Sequence, residues 1–297
     1  MNCYSKRLVK PVALKKGLRT SPMPENLISE IKPQQSLDLL KALHILTRDG
    51  KLNQDSRRKL KQVYHLYHFI EPLMQDVLAR ADTLTLADHG AGKSYLGFIL
   101  YDLFLKSRAE GRIYGIETRE DLVEKSRALA QQLDFARMHF LNLSVEASIV
   151  TPELPAQIDI VTALHACNTA TDDAIKFALA KHARHIVLVP CCQAEVASVL
   201  RKNKNDTFSK TPLSEIWRHP IHTREFGSQL TNVLRCLLLE SHGYRVTVTE
   251  LVGWEHSLKN ELIIATRADA PRNNAQARLV QILEELNLQE LSARFAY

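Results

Sequence analysis

The residues best suited to chemistry begin at Asp88-His89-Gly90-Ala91-Gly92-Lys93-Ser94, between an apolar run ending at Asp88 and an amphipathic stretch opening at Ser94. Glycines at a strand-to-helix junction let the backbone turn sharply and approach a ligand with no Cβ in the way. The helix start behind them offers free N–H groups to a carboxylate or phosphate. Glu117 closes the next apolar run, in Gly115-Ile116-Glu117. A carboxylate at that place can accept hydrogen bonds from ribose hydroxyls. Loop and acid together describe a pocket for an adenosine-bearing ligand.

Three ligands compete for that pocket. A dinucleotide fingerprint, Gly-x-Gly-x-x-Gly, fails at its third place, which holds the bulky Tyr95. A phosphate-binding loop, Gly-x-x-x-x-Gly-Lys-Ser/Thr, finds Gly92-Lys93-Ser94 but has Ala87 as its first residue. That match keeps an NTPase or kinase reading open. S-adenosylmethionine asks for an acid ending the first strand, a Gly-x-Gly turn and an acid after the second strand. Asp88, Gly90, Gly92 and Glu117 supply all of these. Asp88 would repel a triphosphate, which favours the third ligand. The plainer alternative is a tight turn shaped by the glycines, with both acids incidental.

These residues need a frame. From Thr83 short apolar runs alternate with amphipathic stretches, the pattern of an α/β fold with a mainly parallel sheet. The spacing predicts strands at 83–88, 112–117, 138–143, 158–164 and 185–190 and helices at 94–106, 119–132, 172–181 and 193–201. Runs at 244–252 and 261–266 are too close for a helical crossover and should pair antiparallel. A helix over 225–240 precedes them and an amphipathic helix over 274–291 follows. Upstream, helices are predicted over 36–47 and 55–80. The organisation expected is a basic arm (1–24), a helical N-terminal region (25–80), a catalytic α/β domain (81–270) and a C-terminal helix (271–297).

Ligands in open α/β sheets bind beyond the carboxyl ends of the strands. Two unusual clusters fall there: His165-Ala166-Cys167-Asn168-Thr169-Ala170-Thr171-Asp172-Asp173 after the fourth strand and Pro190-Cys191-Cys192-Gln193 after the fifth. His165 titrates near neutrality and is a candidate base for an acceptor that must lose a proton; the alternative is a histidine capping the strand end. Cys167, Cys191 and Cys192 are either nucleophiles or small buried apolar side chains. Adjacent cysteines without a Cys-x-x-Cys pair are poor spacing for zinc, so no metal is expected.

The Asp-x-Gly-Ala-Gly-Lys-Ser-Tyr loop, the Ala-Leu-His-Ala-Cys-x-Thr-Ala-Thr-Asp segment and the Val-Pro-Cys-Cys-Gln segment together resemble one group of class I methyltransferases. It contains the tRNA 2′-O-methyltransferase of the eukaryotic acceptor stem, the methyltransferase part of the glutathione-S-transferase C-terminal-domain protein, and bacterial relatives. Leu237-Leu238-Leu239-Glu240-x-x-Gly243-Tyr244-Arg245-Val246 and Lys259-Asn260-Glu261-Leu262 are similar to the bacterial members. The resemblance spans 83–267 and leaves 1–80 uncovered. It implies a Rossmann-like, seven-stranded sheet whose last strand is antiparallel, and S-adenosyl-L-methionine as cofactor. It implies that Asp88, His89, Gly90, Ala91, Gly92, Lys93, Glu117, Asn142 and Leu164 hold the cofactor, Asn142 or Ser144 lying near the adenine. His165, Cys167 and Asp172 would line the reaction side, and Lys93 would pair with Asp88 or with an acceptor phosphate.

Length and composition set the bounds. The 297 residues are 45% hydrophobic and 24% charged, which excludes a disordered, collagen-like or coiled-coil chain. No apolar run reaches the roughly 18–20 residues that cross a bilayer, so no membrane association is expected. Five cysteines without secreted-type spacing and no signal peptide point to a reducing, cytoplasmic setting. Residues 1–24 hold six basic residues and no acid, and the remaining chain carries 33 of each sign. The surplus is therefore an arm, read as a phosphate-contacting segment, a solvated tail or a transit peptide. With Arg57, Arg58, Lys59 and Lys61, and with the basic stretch 201–224, it makes RNA the leading acceptor. A protein or small-molecule acceptor, and a non-catalytic partner-binding protein on this fold, stay open.

Overall fold

The computed structural model describes residues 30–164, 168–190, 193–203, 212–251, 261–268 and 274–295. The chain divides into two compact units, Met1–Pro33 and Gln34–Tyr297. Within the first, residues 30–33 form a turn; all that follows concerns the second. The expected basic arm and the segment 204–211 lie outside the described residues.

The short apolar runs become strands because their β-branched and aliphatic residues are bounded by polar turns. They are β1 (Thr85–His89), β2 (Arg112–Glu117), β3 (Met138–Asn142), β4 (Ile160–Leu164), β5 (His185–Val189), β6 (Tyr244–Glu250) and β7 (Glu261–Arg267). They form one sheet in the order β3-β2-β1-β4-β5-β7-β6. β1 to β5 are parallel, and β7 runs antiparallel to both β5 and β6. This is the expected seven-stranded, Rossmann-like sheet with its antiparallel ending. The chain reverses its direction of travel across the sheet between β1 and β4, and the crevice at such a switch point is where α/β sheets hold ligands.

Alternation along the strands buries both faces. Ala87, Ile116, Val161, Ala163, Ile186, Leu188 and Ile263 join one core with helices α6 (Ala170–Ala180), α7 (Glu195–Lys202), α8 (Pro220–Ser241) and α9 (Ala275–Glu285). The opposite face carries α3 (Tyr95–Leu100), which packs close to Ile113 and Met138 at Gly97. α1 (Leu37–Ala42) and α2 (Gln54–Leu78) lie N-terminal to the sheet, α4 (Glu120–Gln132) links β2 to β3, and α10 (Ser292–Phe295) closes the chain. The Ser36 N–H donates to Asp102 Oδ2 at 2.8 Å, tying the start of α1 to the turn after α3. Among the described residues no helix is long and apolar enough to cross a membrane.

Four local differences from the sequence expectation have physical causes. The helix over 36–47 stops at Ala42, capped at its start by Ser36. The helix over 94–106 widens into a π turn at Tyr101–Leu105, around the buried Asp102. α8 starts at Pro220 rather than 225, since proline at the first turn has no N–H to leave unpaired. α5 (Val145–Val150), between β3 and β4, was not foreseen; it is held by the Ser144 hydroxyl accepting from Ala147 N–H.

Candidate active site

The glycine loop leaves β1 on the crevice side of the sheet. Gly90 and Gly92 have φ of +66° and +57°, the left-handed region that side chains resist. A Cβ on Gly90 would meet nothing within 4 Å, so the backbone there lines open space. Ser94 follows, also left-handed at φ 49°.

Asp88 is buried and shapes this loop from beneath. Its Oδ1 accepts from Thr162 Oγ1 at 2.9 Å and its Oδ2 from Ser94 Oγ at 3.2 Å. Burial pushes its carboxyl up to about 6, although Thr162, Ser94 and the Gly97 N–H pull the other way. The expected Lys93–Asp88 pair does not form. Lys93 is exposed beside His44, Tyr95 and Lys125 instead. The same geometry speaks against a nucleotide-triphosphate loop, in which the serine hydroxyl must face a magnesium ion: the Ser94 hydroxyl is buried against Asp88.

Glu117 stands across the crevice at the end of β2. Its Oε2 accepts the Gly92 N–H at 2.8 Å, and its Oε1 accepts the Arg119 backbone N–H at 3.0 Å and Nε at 3.2 Å. Burial opposes its ionisation, but the bonds from Arg119 and Gly92 outweigh that and hold the carboxyl below the usual range. Oε2, with one hydrogen bond, keeps a lone pair for a ligand hydroxyl. Asn142 at the end of β3 is exposed, and its Nδ2 donates to the Glu117 carbonyl at 3.1 Å. Ala91 is held by its N–H donating to the Ile116 carbonyl. Leu164, half-buried, ends β4.

His89 points to the other face of the sheet from Asp88. It is only 6% exposed, its ring lies 5.2 Å from Phe177, and among the described residues neither ring nitrogen has a hydrogen-bond partner. Burial pulls its pKa down to about 4, so the imidazole is neutral at pH 7.

His165 and Cys167, like Cys191 and Cys192, lie outside the described residues. Their flanks do not. Asn168 Oδ1 accepts from Ala194 N–H at 3.4 Å, so the segments after β4 and β5 meet. Both are anchored to α8: Arg235 Nη2 donates to the Asn168 carbonyl at 2.9 Å, and Gln193 Nε2 donates to Asn232 Oδ1 at 2.6 Å. Asp172 belongs to this anchor. Both its oxygens accept from Arg235, and the pair is buried. Asp172 therefore ties α6 to α8 rather than presenting a carboxylate to the crevice. The described cysteine, Cys236, has its thiol pushed up to about 12 by burial, which makes it a poor nucleophile.

Thr162, Asn232 and Arg235 carry no signal in the sequence, because their partners are distant, and Arg119 gains its role only from the Glu117 carboxylate beside it. Gly97 gives no signal either. A Cβ there would lie 2.5 Å from Ser94 Oγ and 3.5 Å from Ile113, so this glycine provides the close helix-to-strand contact that Tyr95 could not.

Residues 58–199 match the family model for a methyltransferase domain. Over those residues the chain carries a methyltransferase domain. The site fits S-adenosylmethionine through the open Gly90 backbone and the carboxylate of Glu117 opposite it. The chain is 23% identical over 235 residues to a glutathione S-transferase C-terminal domain-containing protein of Bos taurus, covering 73% of this chain and 34% of that one. The chain thus spans about a third of that curated relative's length. Among solved structures it is similar to magnesium protoporphyrin IX methyltransferase from Synechocystis PCC 6803 with bound SAM, at 14% identity and TM-score 0.44, covering 78% of this chain and 90% of that one. It is also similar to an rRNA methylase from Streptococcus thermophilus, at 10% identity and TM-score 0.43, covering 68% and 96%.

Proposed function

We propose that this methyltransferase acts on RNA, of the tRNA or rRNA class. The observation that carries the reading is a cationic track beside the cofactor loop. One cleft is lined by His44, Lys93, Tyr95 and Lys125, and a second by Lys41, His44 and Arg48, so His44 joins the two. The second cleft reaches Asn53 and Ser56 at the start of α2, where Arg57, Arg58, Lys59 and Lys61 are exposed. Lys125 pairs with Asp121, whereas Lys41, Arg48 and Lys93 have no ion-pair partner among the described residues. Cations spaced along a groove track phosphates, and Tyr95, 37% exposed, offers a ring for base stacking.

S-adenosylmethionine supplies a methyl group on a sulfonium, activated for in-line displacement. The residues around it have to bind, align and exclude water. In this reading Glu117 Oε2 accepts from the ribose, the Gly90–Gly92 backbone faces the amino-acid end, and Asn142 lies near the adenine. Asp88 keeps the loop in shape through Ser94 and Thr162. His165 takes the proton of an acceptor hydroxyl, and Asp172 with Arg235 positions the segment that carries it. Cys167 is the alternative nucleophile for a carbon acceptor.

The test is transfer of a labelled methyl group from S-adenosylmethionine to transcribed tRNA and rRNA fragments, beside RNA binding at several salt concentrations. Label in RNA, with binding weakened in Lys41→Gln/Arg48→Gln, bears the reading out. Label confined to protein or small molecules overturns it.

A further inference from the structure

The opposite end of the strands carries a second basic site that methyl transfer does not use. There α2 ends, β5 and β6 begin and β7 finishes, so Asp76, Arg80, Arg184, His185, Arg245 and Arg267 line one cavity of about 430 Å³. Four guanidiniums share it with one carboxylate. Asp76 already serves three donors: it accepts from Arg184 Nε at 2.6 Å, Arg80 Nε at 3.2 Å and His185 Nε2 at 3.0 Å. Since Asp76 can only accept there, His185 carries its proton on Nε2, and its Nδ1 accepts from Thr266 Oγ1 at 3.0 Å. Burial lowers the His185 pKa and outweighs the opposing pull of Asp76, so the ring is a neutral strut. The Arg184 carbonyl accepts the Arg267 N–H at 2.8 Å, and Arg245 pairs in register with Thr266, so the backbones bearing three of the arginines are mutually fixed. Among the described residues the Arg267 side chain reaches only the His182 carbonyl, at 3.5 Å, and neither Arg245 nor Arg267 meets a carboxylate.

Guanidiniums held on rigid strands around a concavity, with positive charge left uncompensated, match the geometry and charge of phosphate. We propose that this cavity is a phosphate-binding site, separate from the cofactor crevice by the length of the strands. Its ligand is a phosphate group, delivered either by a polynucleotide backbone or by a small phosphorylated molecule.

The experiment is calorimetric binding of pyrophosphate, and titration of a labelled RNA oligonucleotide, to the full chain and to Arg245→Gln/Arg267→Gln. Both side chains are exposed, and unchanged S-adenosylmethionine binding and thermal melting verify the fold. The proposal expects pyrophosphate to bind the wild type and to weaken at least about tenfold in the double variant. It expects Asp76→Asn, which removes the competing carboxylate, to bind pyrophosphate more tightly. If RNA affinity falls with pyrophosphate affinity, the source is a backbone phosphate. If RNA affinity is unchanged, the source is a small phosphorylated ligand. No pyrophosphate binding to the wild type, or equal binding to wild type and double variant, overturns the proposal.

Discussion

Arg235 on α8 grips Asp172 on α6 with two parallel bonds, Nε to Oδ1 at 2.7 Å and Nη2 to Oδ2 at 2.8 Å. The pair is almost fully buried. A third bond, from Arg235 to the Asn168 carbonyl, extends the grip to the loop after β4. The fold thereby ties Asn168, which follows His165 and Cys167 in the sequence, to α8.

Removing one partner leaves an uncompensated buried charge. Arg235→Met should destabilise the protein by about 3–5 kcal/mol in urea unfolding. Arg235→Lys should recover little of that loss, because an ammonium cannot span both oxygens. The double variant Arg235→Met/Asp172→Leu should unfold at a higher urea concentration than Arg235→Met alone.

Asp88 and His89 give opposite pH dependences over one window. The folded pKa of Asp88 is raised from 3.8 to about 6, so its contribution to stability is present below about 4 and lost as pH rises through about 6. The folded pKa of His89 is lowered from 6.5 to about 4, so its contribution is present above 6.5 and lost as pH falls through about 4. The wild type should therefore show a shallow profile from these two groups. Asp88→Asn should expose the histidine's loss on the acid side, and His89→Phe, which can stack on Phe177, should expose the aspartate's loss as pH rises. Unfolding free energies at pH 4, 5, 6 and 7 check this.

Gly97→Ala should cost about 1–3 kcal/mol, since the new methyl meets Ser94 Oγ and must push apart α3 and the loop. The same variant should weaken S-adenosylmethionine binding, because Ser94 and Asp88 shape the glycine turn. A variant of wild-type stability and affinity would contradict the close packing.

Lys93→Gln should leave cofactor affinity within about twofold, because its exposed side chain does not meet Asp88. RNA binding should weaken, with the slope of log affinity against log salt falling by about 0.7 for a lost single-strand phosphate contact. Measured slopes of wild type and variant decide it.

Much of this was legible in the sequence because each feature is local. β2 falls on 112–117 as read, since Ile113, Tyr114 and Ile116 stand between a glycine turn and an acid. The antiparallel ending followed from the short gap before β7. Other features needed contacts the sequence cannot show. Arg235 reaches Asp172 across 63 residues, and Thr162 reaches Asp88 across 74. Asp172 therefore reads from the sequence as lining the reaction side, and Lys93 as a partner of Asp88 or of an acceptor phosphate, whereas in the fold Arg235 holds Asp172 and Ser94 bonds to Asp88. α5 was missed because six residues show no helical period; its one signal was Ser144 as cap. Gly97 was hidden because the fingerprint fixes the packing glycine at another position.

The most direct test of the central claim is calorimetric binding of S-adenosylmethionine, S-adenosylhomocysteine and Mg-ATP to the wild type, Gly90→Val and Glu117→Gln. The first two should bind the wild type, and Mg-ATP should not. Glu117→Gln should weaken them at least about tenfold, through loss of a charged acceptor, and Gly90→Val, which fills the open backbone face and strains a positive φ, should abolish binding. Binding of Mg-ATP alone, lost in Lys93→Gln and indifferent to Glu117→Gln, would contradict it.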